Sequence, residues 1–239
     1  MNLQQFWHHY HSYQRNFCCV QLRCKEFTQA NLSGLNFSNS DLSHTSLIWA
    51  DISGTCLENA RLREATAIWT QGLWTDFQQA DARQADFSCA NLQSANLADA
   101  NFAESTFMGA NLSDVSGQRA CLEKACLWGL WALRADFSDA ELTGVDLRQA
   151  NLSEAQLINI CLKAANLRNA NLSGANLQNA NLQGANLSGA NLTGTRLDGA
   201  NLKNAILPGG DHANLFGLKL DSSCNLDITD HQSTSPVFK

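Results

Sequence analysis

A five-residue period runs through most of this chain and constrains its fold more than any other feature. From Ala165 the sequence reads ANLRN ANLSG ANLQN ANLQG ANLSG ANLTG TRLDG ANLKN AILPG, with Leu at the centre of nearly every unit. Extended backwards, the frame never slips: centres fall at Leu162, Leu157 and Leu152 and continue through Leu32, Phe27 and Leu22 to Phe17. There are 39 centres between Phe17 and Leu207, and Leu, Phe or Ile fills 34 of them. Ala67, Gly72, Ala82, Gly117 and Ala132 are the exceptions. With the centre called i, position i−2 is usually Ala, often Ser, Thr or Val, with larger departures at Leu35, Leu130 and Ile160.

A period of five suits neither regular structure. On an α-helix each step of five turns the Leu by about 140°, so no apolar stripe forms. On a flat strand successive centres would alternate faces, because the side-chain period is two. Every Leu reaches one interior only if the chain bends once per unit. Such a chain winds into short-sided coils about 4.8 Å apart, around a continuous apolar column. Position i−2 also faces inward, where little room remains, and the other three positions face solvent. No coil buries its own core alone, so the units stand or fall with their neighbours.

The A(N/D)LXX pattern resembles the pentapeptide repeat family, and it covers about four-fifths of the chain. The resemblance implies an all-β fold, a right-handed quadrilateral β-helix with four repeats per coil. The Phe positions by themselves fit three- and four-sided coils equally well. Four per coil gives nearly ten coils, a rod about 45 Å long at ~4.8 Å per coil. A HY-x4-RNF segment before the first coil (His9, Tyr10, Arg15, Asn16, Phe17) looks like cyanobacterial members of the family, a heterocyst-differentiation protein among them.

Both ends of a solenoid expose backbone edges that need covering. Residues 1–14 form the expected N-terminal cap: Leu3, Phe6, Trp7, Tyr10 and Tyr13, at spacings of three and four, predict a short amphipathic helix over the first coil. The repeat body spans 15–207. Pro208-Gly209-Gly210 breaks the frame, residues 208–226 read as a C-terminal cap, and 227–239 as a tail. A monomer, or an end-to-end dimer through the C-terminal cap, follows from that layout.

Catalytic signatures are missing: there is no P-loop, HExxH, GxSxG or paired CxxC. The reading is therefore a non-enzyme without cofactor. His8, His9, His11, Cys18, Cys19 and Cys24 are metal-ligand types, but their spacing matches no standard zinc pattern, and packing in the cap is the simpler account. Nine cysteines in no disulfide framework read as free thiols in a cytoplasmic protein. No apolar run approaches the ~18 residues of a membrane span, so no membrane partner is expected.

A net charge of −6 argues against direct nucleic-acid binding. Some bacterial members of the family mimic B-DNA and bind DNA gyrase through an acidic rod, which makes gyrase the alternative partner. Sorted onto four sides, the charges support this weakly. The side through Leu57 and Phe77 carries Glu58, Asp76, Asp99, Asp136, Asp139 and Asp198 against Arg15, Arg119 and Arg196. On the side through Leu62, six acids face seven bases.

Tryptophan placement is the stronger clue. Trp49, Trp69 and Trp128 belong to the side through Leu47, Ala67 and Leu127, and Trp74 and Trp131 to the adjacent side through Gly72 and Ala132. All five occupy positions that the pattern points outward, as do Ile48, Ile68, Leu73, Met108 and Leu133 on the same two sides. These ten are the candidate protein-interaction residues. Exposed apolar surface of this kind marks interfaces, and Trp is enriched at their hot spots. Against this stands frame inversion, in which Leu73 or Trp131 folds inward to fill a vacant centre. The expected function is a solenoid scaffold that binds another protein, of the cyanobacterial regulatory or assembly type.

Overall fold

The computed structural model describes residues 1–209, so the expected C-terminal cap beyond Gly209 and the tail lie outside the described residues. From Asn16 onward, each residue at i−1 pairs in parallel with the residue twenty positions further on, from Asn16↔Asn36 to Asn186↔Ile206. Twenty residues are four units. The coil therefore has four sides, as the resemblance implied. The pairings are single bridges rather than extended strands, because a turn follows every one of them.

The unit Asn111–Val115 shows how each amide is satisfied. The Asn111 amide donates to Ala90 of the preceding coil at 2.9 Å. The Leu112 and Asp114 amides donate to the Trp131 and Leu133 carbonyls of the following coil, at 2.6 and 2.9 Å. The Val115 amide closes the turn onto the Leu112 carbonyl at 3.4 Å. Only the Ser113 amide, at i+1, has no backbone acceptor, and it donates instead to Oδ1 of Asn111 at 3.0 Å. Since a backbone donor that lacks both water and a partner is costly, this explains the Asn/Asp of the A(N/D)LXX pattern. A short side chain at i−1 reaches the one amide that the coil leaves over.

Position i+2 has positive φ in every unit, 65° at Gly34 and 68° at Gly184 for example. With the bond from the i+3 amide back to the carbonyl at i, this is the geometry of a type II turn, which favours Gly or Asn at that point. Four of the five small centres are also explained. A Cβ built on Gly117 would lie 2.5 Å from Cδ1 and Cε1 of Phe137, one coil along. One on Gly72 would lie 2.6 Å from Leu92 Cδ2 and 3.2 Å from Ile52 Cγ1. Ala67 and Ala82 likewise stand one coil before Phe87 and Phe102, all four buried. These four small centres sit where a neighbouring coil supplies the volume; further along, a small apolar cavity remains among Leu127, Leu130, Phe137 and Leu152.

The first coil is covered by α1, Leu3–His11, whose N-terminus carries a capping box formed by Asn2 and Gln5. Phe6 is fully buried and its ring lies 4.6, 5.2 and 5.9 Å from those of Phe17, Phe27 and Phe37. It plugs the open end of the apolar column. Tyr13, expected on the same apolar face, lies beyond the helix and is exposed.

Candidate protein-binding corner

All five tryptophans point outward. Trp49, Trp69, Trp74, Trp128 and Trp131 are 54, 45, 67, 40 and 59 % exposed. Met108 is exposed as well, whereas Ile48, Ile68, Leu73 and Leu133 are half-buried. Frame inversion does not occur here: Ala67, Gly72 and Ala132 remain inside, Leu73 is half-buried and Trp131 exposed, and at Gly72 the missing volume is supplied by Leu92 and Ile52 of the neighbouring coils. Trp131 keeps its place in the ladder, bridged to Asn111 and Asn151.

Trp49 and Trp69 stack one coil apart, with ring centroids 5.2 Å apart and planes 6° from parallel. Together with Trp74 they occupy i+2, at φ of 59°, 59° and 55°. A non-glycine residue there costs about 1 kcal/mol or more.

The ten residues do not form one unbroken patch. Ile48, Trp49, Ile68, Trp69, Leu73 and Trp74 make one cluster, and Met108, Trp128, Trp131 and Leu133 a second. Between them lies a coil that presents Ser88, Cys89, Gln93 and Ser94 on the same two sides. The coils of Trp69 and Trp128 are three apart, about 14 Å at ~4.8 Å per coil. Charge is sparse: Arg134 pairs with Asp114 through two bonds of 2.8 and 2.9 Å, which closes off the nearest guanidinium.

A further signal in the sequence lies one position before each centre. The ten residues belong to six units, and their i−1 residues are Ser46, Thr66, Gln71, Thr106, Cys126 and Trp131. None is Asn or Asp. Among the units beside them on the same two sides, Asn31, Asp51, Asp86, Asn91, Asn111, Asp146 and Asn151 keep the pattern and Glu26 does not; on the other two sides Gln21, Cys56, Arg61, Ser116, Cys121, Gln156 and Cys161 depart from it as well. Accordingly the i+1 amides of Ile48, Ile68, Leu73, Met108, Trp128 and Leu133 make no hydrogen bond within the described residues.

Elsewhere the candidate chemistry stays dispersed. Cys18, Cys19 and Cys24 are exposed free thiols, and no group of three or more His, Cys, Asp or Glu is arranged to hold a metal among the described residues. No helix among them is long and apolar enough to cross a membrane.

The pentapeptide repeat family model matches the sequence in eight copies, over residues 26–67, 74–102, 95–129, 134–169 and 170–209. The chain belongs to the pentapeptide repeat family. The matches omit 68–73 and 130–133, the two stretches that hold Ile68, Trp69 and Leu73, and Trp131 and Leu133. Coil geometry continues through both, although each also holds a small centre, Gly72 or Ala132, and the second the large inward Leu130. Among solved structures, the chain is similar to HetL, a pentapeptide repeat protein involved in heterocyst differentiation regulation from the cyanobacterium Nostoc. Identity is 33 %, covering 88 % of this chain and 98 % of that one, at a TM-score of 0.45. It is similar also to Rfr23 of the cyanobacterium Cyanothece, at 33 % identity over 49 % of this chain and 64 % of that one, with a TM-score of 0.31. QnrB1, a plasmid-mediated fluoroquinolone resistance protein, is 20 % identical over 86 % of this chain and 91 % of that one, with a TM-score of 0.40. No curated protein sequence matches the chain.

Proposed function

We propose that this chain is a non-catalytic scaffold, a right-handed quadrilateral β-helix whose tryptophan corner binds another protein, in the manner of a cyanobacterial regulatory or assembly factor. One observation carries the reading: five tryptophans stand exposed on two adjoining sides while the core beneath them is complete without them. Their limits, from Ile48 to Leu133, span roughly four coils, about 20 Å. That extent suits one partner's half of a standard interface, about 800 Å².

The test is a pull-down from the native host with Trp69→Ser combined with Trp74→Ser, beside wild type and a polar-side control, Arg63→Ser with Lys124→Ser. The tryptophan variant is expected to melt within a few degrees of wild type and to lose the captured protein, while the control retains it. A tryptophan variant that still captures everything wild type does refutes the assignment.

Gyrase binding has weaker support. On the acidic side Asp99 is held by Arg119 through bonds of 2.6 and 2.7 Å, and that guanidinium keeps its carboxyl below the usual range. Asp198 lies 3.4 Å from Arg196. Purified gyrase in low salt is therefore expected to supercoil normally with this protein at micromolar concentration. Inhibition reversed by salt, or by neutralising Asp76, Asp99 and Asp136, would reverse the ranking of the two partners.

A further inference from the structure

We infer that the occupant of the tryptophan corner is an extended segment of the partner's chain, lying along the rod axis and hydrogen-bonded to backbone amides that this surface leaves open. The inference rests on the corner being an interface and goes on to name what fits it.

The argument begins with the amide at i+1. Where i−1 is Asn or Asp, its Oδ1 takes this donor: Asp51 takes the Ser53 amide at 2.9 Å, Asp86 that of Ser88 at 2.9 Å, and Asn151 that of Ser153 at 3.2 Å. In the six apolar units that acceptor has been replaced, and six donors stand unpaired among Trp, Ile, Leu and Met side chains. While the surface is wet, water satisfies them. Once a partner covers the corner, each must find an acceptor or carry the penalty of a buried unpaired group.

This requirement sorts the possible occupants. A second copy seated face to face brings the same open donors and, as open backbone acceptors, only the carbonyls recessed at i+2, Trp49, Trp69 and Trp74 among them. A helix has already used its carbonyls internally, apart from its last turn. An extended segment presents free carbonyls along its length, with side chains to fill the apolar clusters. Spacing adds a second condition. Trp69 and Trp128, one from each cluster, lie about 14 Å apart along the rod, with Ser88, Gln93 and Ser94 and then Met108 between them. At ~3.3 Å per residue that distance is about four residues of extended chain. The fitting segment has two large apolar residues about four apart, with polar residues between.

Restoring the missing acceptor separates the amides from the rings. Thr66→Asn with Gln71→Asn gives the Ile68 and Leu73 amides an internal partner and leaves every tryptophan in place. A phage-displayed library of linear peptides is selected on the full chain and counter-selected on Trp69→Ser with Trp74→Ser. Selected peptides are expected to carry the two-anchor pattern and to bind the Asn variant at least about tenfold more weakly, for two lost bonds. The same variant should melt a few degrees higher than wild type, having gained two internal bonds. Cys121→Asn, the same exchange on a polar side, should leave binding unchanged. Equal binding to wild type and the Asn variant would overturn the role of the amides while leaving the tryptophan reading intact. So would a library that yields nothing specific for the corner, or self-association of the chain through it, overturn the extended segment. Retention of the native partner by the tryptophan variant would instead remove the interface reading itself.

Discussion

Leu177→Asp is expected to abolish cooperative folding of the rod or to lower its melting temperature by more than ten degrees. Leu177 is fully buried, and one coil away on either side lie Leu157 and Leu197, each 1 % exposed. The inward small residues of its own and the next unit are Ala175 and Ala180, also without exposure, and the buried Thr195 hydroxyl of the following coil is already committed to the Leu172 carbonyl at 2.8 Å. Burying it unpaired costs several kcal/mol, a large fraction of the ~5–15 kcal/mol that holds a domain together. A repeat array transmits the damage, because each coil contacts only its neighbours and contributes to their burial. The defect carries a pH signature. Burial raises the folded-state pKa of the introduced carboxyl, so the folded form of the variant binds its proton more tightly than the unfolded form. The penalty is smallest at pH below the unfolded carboxyl value of about 4 and grows as pH rises through the folded value. Thermal melts of wild type and variant should therefore converge at low pH. An unchanged melt at neutral pH would mean that Leu177 does not face a closed interior.

Much of this was readable from the sequence, for a specific reason. The inward positions recur every five residues without a slip, so a single frame assigns burial to every centre, and the centres from Phe17 to Leu202 are buried as that frame requires. The same frame turned Trp131 outward beside a vacant-looking centre, and its exposure agrees. Less legible was what fills the small centres, because the compensating residue lies twenty positions away. Phe137 beside Gly117 becomes a pair only after the coil length is known. The i−1 residues at the corner were in plain view, but Ser46 or Cys126 looks like ordinary variation until the Ser113 bond to Asn111 shows what Asn does there. Side alone does not reveal the polar step at Ser88 and Cys89, which needs each residue's coil as well. Spacing alone does not mark where α1 ends, at His11, and so groups the exposed Tyr13 with it.

The corner and the core connect through volume. A tryptophan can remain outside only if nothing beneath it needs filling, and at Gly72 that condition is met by Leu92 and Ile52. Surface divergence over 68–73 and 130–133 thus proceeds over an interior that keeps its frame. A stiff rod whose sides vary independently of its core offers a partner a preformed surface, with little ordering to be done on binding.

The pairing of small with large centres yields the second strong effect, at Gly117. Gly117→Leu is expected to destabilise the rod by about 3 kcal/mol, at the upper end of what overpacking causes. The ring of Phe137, 2 % exposed, already occupies the space that a Cβ there would enter at 2.5 Å. Phe137 is enclosed by the same column, beside a small apolar cavity that Leu130, Leu142 and Leu157 also line. Phe137→Leu alone should also destabilise, by about 1–2 kcal/mol, because it leaves a gap over the glycine. Combining them restores two Leu centres in adjacent coils, the arrangement found at Leu177 and Leu197. The double variant is therefore expected to be more stable than Gly117→Leu alone, with a coupling of about 1–3 kcal/mol, within the range for residues in contact. Chemical denaturation of the four proteins measures this directly. Additive losses would mean that the two positions do not share one space, and the account of Ala67, Gly72 and Ala82 as volume supplied by the neighbouring coil would fall with it.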